Sequence, residues 1–352
     1  MKNLTYSQQI NQKNILKLRE LRGELPKFLS SYFIGVDHVL ASRTKIAYAI
    51  DLKTFFEYIK ASNPVYRDKK ICDFELDCLS SLTFTDMNEY MEYLKFYRTA
   101  EGKMVTNNER AIKRKMAAVR SMYNFFHKSE AIFVNPAAQV DMPRLHDKAI
   151  VRLDVNEIAD LLDAVESGNT LSDAQRRFHE KNKRRDLALL TLMLGTGIRV
   201  SECVGLDLID LDFNNDRIKI VRKGGYEAFV YFGDEVREAL EAYLEEREEI
   251  EEIVPGHENA LFLSSRKQRI TVRSVENLVK KYARTITVMK NITPHKLRST
   301  YGTALYQQTG DIYLVADVLG HKDVNTTRKH YAAIEEERRR MAKDKVILRK
   351  DK

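Results

Sequence analysis

The sequence predicts a mainly α fold in two domains, a helical bundle followed by a mostly helical domain with one small antiparallel β-sheet. Three observations predict it. The chain has 352 residues, about two domains at 100–200 residues each. Apolar residues recur at helical spacing through most of it. One strand–turn–strand pattern breaks that spacing: Arg217-Ile-Lys-Ile-Val221 alternates, Gly224-Gly225 is a turn signal, and Phe229-Val230-Tyr231-Phe232 returns.

Residues 1–24 are polar and read as a frayed helix. Ser42 is a plausible N-cap for a helix carrying Ile46, Ala49, Ile50, Phe56 and Ile59, which Asn63-Pro64 stops. The stretch 65–83 reads as a loop, and Asp86 opens a helix with Met87, Met91 and Leu94. From about Asn107 a third helix carries an apolar stripe of Ile112, Met116, Val119, Met122, Tyr123 and Phe126. Arg110, Lys113, Arg114 and Arg120 sit mainly off that stripe, as a solvated basic face or as a face laid against DNA phosphates. Ser42, Arg43 and Lys45 are further candidates for phosphate contact. Asn135-Pro136 closes the bundle, and a polar, aperiodic segment around Pro143 reads as a linker. Asp154 with Glu157 fits a capping box, and residues 186–194 form an apolar helix after a polar stretch. Beyond the hairpin the chain reads as helices to its end. The domains are expected at 26–143 and 151–335, with a short N-terminal segment (1–25), a linker (144–150) and a C-terminal tail (336–352).

Composition excludes several classes. With 43% hydrophobic and 31% charged residues, the chain can bury real cores and suits a soluble protein. No run of eighteen apolar residues suggests a membrane span, and the N-terminus lacks an apolar leader core, so the cytoplasm is the expected compartment. Cys72, Cys78 and Cys203 are an odd set without a C-x-x-C pair, so neither a disulfide framework nor a structural zinc site is expected. The formal charge of +8 permits a polyanionic partner. Residues 1–147 hold 23 basic and 17 acidic side chains, which makes the front part the more basic one.

Five segments can carry chemistry. In GTGIRVSE (195–202) a glycine-broken turn sets Arg199 at a helix start, with Glu202 one turn on to orient it. An arginine fork matches two phosphate oxygens, or simply pairs with that glutamate. Lys223 in VRKGG stands before the hairpin turn, as an outward-reaching proton donor or a solvated turn residue. Thr293-Pro294 starts a helix on which His295 and Arg298 are three residues apart, where free N–H groups also favour an anion. Gly320 in LGH (319–321) is a helix C-cap that leads to His321. Asp323 or Asn325 can cap the next helix, TTRKHY, which ends on Tyr331. A phenol with a pKa of about 10 attacks well only where cations stabilise the phenolate.

Taken in order, these motifs resemble the tyrosine recombinases of the phage-integrase family, and the Xer-like members in particular. The resemblance runs over about residues 150–335, with a weaker helical match before it. It implies an N-terminal helical-bundle (SAM-like) core-binding domain and a catalytic domain whose working residues are Arg199, Lys223, His295, Arg298, His321 and the nucleophile Tyr331, supported by Glu202. It further implies cleavage and rejoining of double-stranded DNA at specific core sites through a 3′-phosphotyrosyl bond and a Holliday junction, with no metal, ATP or other cofactor. The implied partner set is a homotetramer on DNA, with or without a second recombinase or accessory proteins, and no membrane. A short C-terminal helix docking on a neighbouring protomer fits the same pattern. Departures are few: Ser299 stands where a second histidine often follows the motif arginine, and residues 65–82 and 168–183 read as insertions. Residues 1–25 are short for an arm-site DNA-binding domain. Three rival readings of the sequence remain: a type IB-like topoisomerase that nicks and reseals, a non-catalytic DNA-binding regulator on the same fold, and a metal-dependent nuclease using His295 and His321, for which carboxylates at ligand spacing are missing.

Overall fold

A computed structural model describes residues 5–145, 151–222, 225–287, 289–321 and 324. Two compact units divide the chain, residues 1–148 and 149–352.

Unit 1 is a helical bundle. Its first helix, α1 (Tyr6–Arg22), is capped rather than frayed: the Thr5 N–H donates to Gln8 Oε1 at 2.9 Å and the Gln8 N–H to Thr5 Oγ1 at 3.3 Å. It packs on α3 (Ser42–Ser62), which follows α2 (Leu29–Gly35). Ser42 is the first helical residue and not the cap. Ala41 holds the cap position, and the Ser42 hydroxyl accepts from Asn14 Nδ2 at 3.1 Å. The stretch read as a loop holds two 3₁₀ turns and α4 (Asp77–Ser80). Thr83 caps α5 (Phe84–Lys95), and Asp86 closes its capping box from inside the helix. A two-stranded antiparallel ribbon follows, β1 (Phe96–Arg98) with β2 (Met104–Thr106). The sequence reading has no counterpart for it, because three-residue strands are too short to show alternation.

Asn108 caps α6 (Glu109–Lys128), and every residue of the expected apolar stripe is buried. The stripe meets an aromatic core in which Phe28 lies edge-on to both Phe56 and Phe126, at centroid distances of 6.0 and 5.5 Å. The buried Tyr123 hydroxyl donates to the Leu79 carbonyl at 3.0 Å. One turn, α7 (Pro136–Gln139), closes the unit.

Unit 2 is built on α10 (Lys183–Thr196), whose Leu189, Leu190, Leu192 and Met193 are fully buried. A helix buried on all sides needs neighbours on all sides. These are α8 (Val155–Ser167), capped by Asp154 and Glu157 as expected, then α12 (Asp234–Glu248) and α14 (Pro294–Thr309). Short α11 (Val200–Gly205) leads into a three-stranded antiparallel sheet, β3 (Leu211–Asp212), β4 (Arg217–Val221) and β5 (Glu227–Tyr231). Ile218 pairs with Val230, and both face the core. One strand more is present than the hairpin signal predicts. Helix α13 (Val272–Ile286) packs on α8, and α15 (Ile312–Leu319) on α14.

The polar stretch before α10 contains α9 (Asp173–Glu180), tied down by one side chain. The fully buried His179 Nδ1 lies 3.0 Å from the Tyr282 hydroxyl, which donates to Asp186 Oδ2 at 3.0 Å. Since the phenol's proton goes to the carboxylate, the imidazole carries its proton on Nδ1. Burial, reinforced by Lys281, holds the His179 pKa below the usual imidazole value. Among the described residues, no helix is long and apolar enough to cross a membrane.

Candidate active site: an arginine-clamped corner

Three segments of unit 2 converge on the carboxyl end of α15. Helix α10 ends at Gly197, which takes φ +63°, and Ile198 is buried. Only glycine adopts that backbone without strain, and a Cβ here would also run into the Tyr301 ring. The chain then turns so that Arg199 precedes α11. Its N–H donates to Glu202 Oε2 at 3.0 Å and its Nη1 to Glu202 Oε1 at 2.8 Å. A nearly buried carboxylate thus fixes both the backbone and the guanidinium of Arg199. The second guanidinium nitrogen donates to the Gly320 carbonyl at 3.0 Å.

Arg298 comes from the first turns of α14. It is buried, donating from Nη1 to the Gly197 carbonyl at 2.5 Å and from Nη2 to the Leu319 carbonyl. One guanidinium therefore joins the GTG turn to the LGH corner. Thr293 and Pro294 occupy the cap and first-turn positions expected of them. His295, three residues before Arg298, is exposed. Their common helix turn places the imidazole outside while the arginine runs inward.

The corner itself is the end of α15. Gly320 caps it at φ +60°, and the His321 N–H donates to the Ala316 carbonyl at 2.9 Å. His321 is half-buried. Arg199, Arg298 and the His321 turn, which stand up to 121 residues apart in sequence, are thus joined by direct hydrogen bonds. Lys223 and Tyr331 lie outside the described residues, as do Asp323, Asn325 and the tail 336–352.

Reading the sequence for motifs misses Arg222. Its guanidinium donates to the Asp317 and Val318 carbonyls at 3.3 and 3.0 Å. Carbonyl acceptors carry no side-chain identity, so only its place beside Lys223 could have drawn attention to it. Within α11, burial pushes the Cys203 thiol up to about 12, which keeps it an inert thiol rather than a second nucleophile. Among the described residues, no group of three His, Cys, Asp or Glu side chains could hold a metal ion.

The candidate phosphate contacts of unit 1 fall in two groups. Arg43, Arg110, Lys113 and Arg114 are exposed. Lys45 is buried and pairs with Asp37, and Ser42 is engaged by Asn14. Arg114 pairs with the fully buried Asp51, which also takes Lys115 Nζ at 3.3 Å. Arg120 donates to the carbonyls of Ala137, at 2.8 Å, and Val140.

Residues 151–338 match the model of the phage integrase family. The chain belongs to that family. Within it, the chain is 31% identical over 313 residues to the tyrosine recombinase XerC of Caldanaerobacter subterraneus subsp. tengcongensis, covering 86% of this chain and 81% of that one. It is 30% identical over 350 residues to the tyrosine recombinase XerS of Streptococcus uberis, covering 92% and 96%. In fold it is similar to the XerH site-specific recombinase bound to a palindromic difH substrate, with a TM-score of 0.63 at 19% identity over 86% of this chain and 79% of that one. The Tn1549 transposon integrase in complex with circular intermediate DNA gives 0.60 at 20% identity, over 85% and 93%. This member of the phage integrase family is a Xer-like, site-specific tyrosine recombinase.

Proposed function

We propose that the chain exchanges DNA strands at specific core sites, with Arg199 and Arg298 clamping the scissile phosphate and Tyr331 attacking it. The observation that carries this reading is the convergence of Arg199, Arg298 and the His321 turn on one corner. Attack on a phosphodiester adds charge to its non-bridging oxygens. Two guanidinium groups held in place before the DNA arrives meet that charge without reorganisation, and each such donor contributes on the order of 3–4 kcal/mol. An arginine has five N–H donors. Arg199 gives one to Glu202 and one to Gly320, and a third of its side chain is exposed, so donors remain for a phosphate.

In this mechanism Tyr331 forms a 3′-phosphotyrosyl bond as the 5′-oxygen leaves. Lys223 protonates that oxygen, His295 serves as base or hydrogen-bond partner of the phenol, and His321 donates to the phosphate. The covalent link conserves the phosphodiester bond energy, so neither ATP nor metal is needed. A 5′-hydroxyl from the partner strand then attacks phosphorus and expels Tyr331; done twice, this passes through a Holliday junction. We assign residues 26–143 to core-site binding, 144–150 to a linker, 151–335 to catalysis and 336–352 to docking on a neighbouring protomer in a DNA-bound tetramer. Basic side chains on DNA phosphates make the affinity fall steeply with salt.

The test works on a mixture of sites and finds the target itself. The chain is incubated with genomic fragments in EDTA, covalent protein–DNA adducts are captured, and the attached 3′ ends are sequenced. Adducts at recurrent positions are expected from the wild type and none from Tyr331→Phe. Adducts from Tyr331→Phe, or cleavage lost in EDTA, overturn the reading. Recombinant product from two copies of the mapped site separates strand exchange from nicking and resealing.

A further inference from the structure

The last carbonyls of α15 are an accounting problem, because a helix end leaves its final C=O groups without intrahelical partners. Here arginines take four in succession. Arg199 holds the Gly320 carbonyl, Arg298 that of Leu319, and Arg222 those of Val318 and Asp317. The first two belong to recognised motifs and are assigned to the phosphate. Arg222 stands in the VRKGG segment beside Lys223, with no role assigned to it. Its Nε is buried with no hydrogen-bond partner among the described residues. Backbone bonds fix its base: the Arg222 N–H donates to the Tyr226 carbonyl at 2.7 Å, and its own carbonyl accepts from Gly225 at 3.0 Å. The far end lies flat against Gly320, where a Cβ would stand 2.5 Å from Cζ of the guanidinium. Gly320 thus serves two needs, a left-handed backbone and room for Arg222.

We infer that Arg222 is a positioning residue for the recombination reaction. Its fork fixes the peptide units of Asp317 and Val318, and through that turn it fixes Gly320 and the direction in which His321 leaves the helix. A lysine cannot do the same, because one ammonium is a point charge and not a two-pronged planar donor. The positive fork also suits the negative end of the helix dipole. This inference rests on the part proposed above for His321 at the phosphate, and it adds a residue that acts on phosphate only through that corner.

A double-mutant cycle between Arg222 and His321 tests it. The probe is a nicked duplex carrying the site mapped by adduct capture, and the readouts are single-turnover cleavage, site binding and thermal melting. Arg222→Ala is expected to slow cleavage roughly tenfold to a hundredfold, the scale of a misplaced catalytic group, with site binding unchanged. Arg222→Lys should fall between Arg222→Ala and the wild type. In a His321→Ala background, Arg222→Ala should cost less than about threefold, because residues that act as a unit are not additive. An undiminished loss in that background, or no loss in the wild-type background, overturns the inference and leaves the Tyr331 chemistry intact. Cleavage at the wild-type rate by His321→Ala overturns the role of His321 and this inference together. Should Arg222→Ala melt too low to assay, the same cycle with Arg222→Lys gives the same decision.

Discussion

Basic residues meet two different fates in the two units. Along α6, Arg110, Lys113 and Arg114 are exposed, but Arg114 also pairs with the buried Asp51, and Arg120 is held by the Ala137 and Val140 carbonyls. At the end of α15, Arg199, Arg222 and Arg298 all reach one short stretch of backbone. A stripe of cations on a helix is defined by periodicity alone, and its members meet different surroundings. The α15 corner is defined by its acceptors, and it brings together arginines from three separate segments. A basic pattern read from sequence marks where charge can be, whereas the carbonyls that receive the forks decide where charge is held. Asp51 makes the contrast sharper. Burial pushes its pKa up although Lys115 and Arg114 both pull it down, so the bundle's buried charge cluster answers a folding problem.

The largest expected effect lies at the corner. Arg298→Ala should lower cleavage by on the order of 10²–10³-fold, since it removes the proposed phosphate donor and the link between the Gly197 and Leu319 carbonyls. Arg298→Lys should restore little of it, because an ammonium cannot hold both carbonyls. A single-turnover assay on a nicked site checks this, and full activity in Arg298→Lys would remove the geometric part of the argument.

An intermediate effect separates the two halves of α6. The double variant Arg110→Ala, Lys113→Ala should weaken DNA binding and flatten the log–log salt dependence by about 1.8, at about 0.9 per lost phosphate contact. Arg114→Ala should leave that slope alone and lower the urea midpoint, because it strips a partner from Asp51, which is itself fully buried. Salt titrations and urea melts on the three chains decide it; a slope change in Arg114→Ala would return that arginine to the DNA face.

How far these residues can be read from sequence follows from the range of the forces involved. The α6 stripe, the Asp154–Glu157 box, the β4–β5 alternation and the Gly320 cap are legible because each is settled within a few residues. Ser42 misleads because capping depends on which residue takes the extended backbone, and Ala41 takes it. The β1–β2 ribbon is too short to alternate. At the site, the motif spelling singles out Arg199, His295, Arg298 and His321, and Glu202 as support for Arg199, yet it implies neither the exposed imidazole beside a buried arginine nor Arg222. The partners of Arg222 lie 95 and 96 residues away and are carbonyls, which every residue has.

The smallest effect concerns His179, in the stretch that reads as an insertion. Its folded-state pKa lies below the unfolded value, so the unfolded chain binds the proton more readily. Its contribution to stability is therefore whole above about pH 6.5 and is lost as pH falls through the lowered folded value. Urea melts at about pH 7.5 and about pH 5.5 should show a smaller acid-side loss for His179→Gln than for the wild type. Equal losses would mean that the buried network does not sense acid.

The four arginine-held carbonyls also set a tolerance for changes in chain length. Each residue added to a helix rotates everything after it by about 100° and advances it by about 1.5 Å. One residue gained or lost within α15 (Ile312–Leu319) would turn those carbonyls away from guanidiniums anchored in other segments. A flexible surface loop lengthens at only a small entropic cost, whereas the eight residues of α15 are locked in phase with three distant positions and should admit substitution far more readily than insertion.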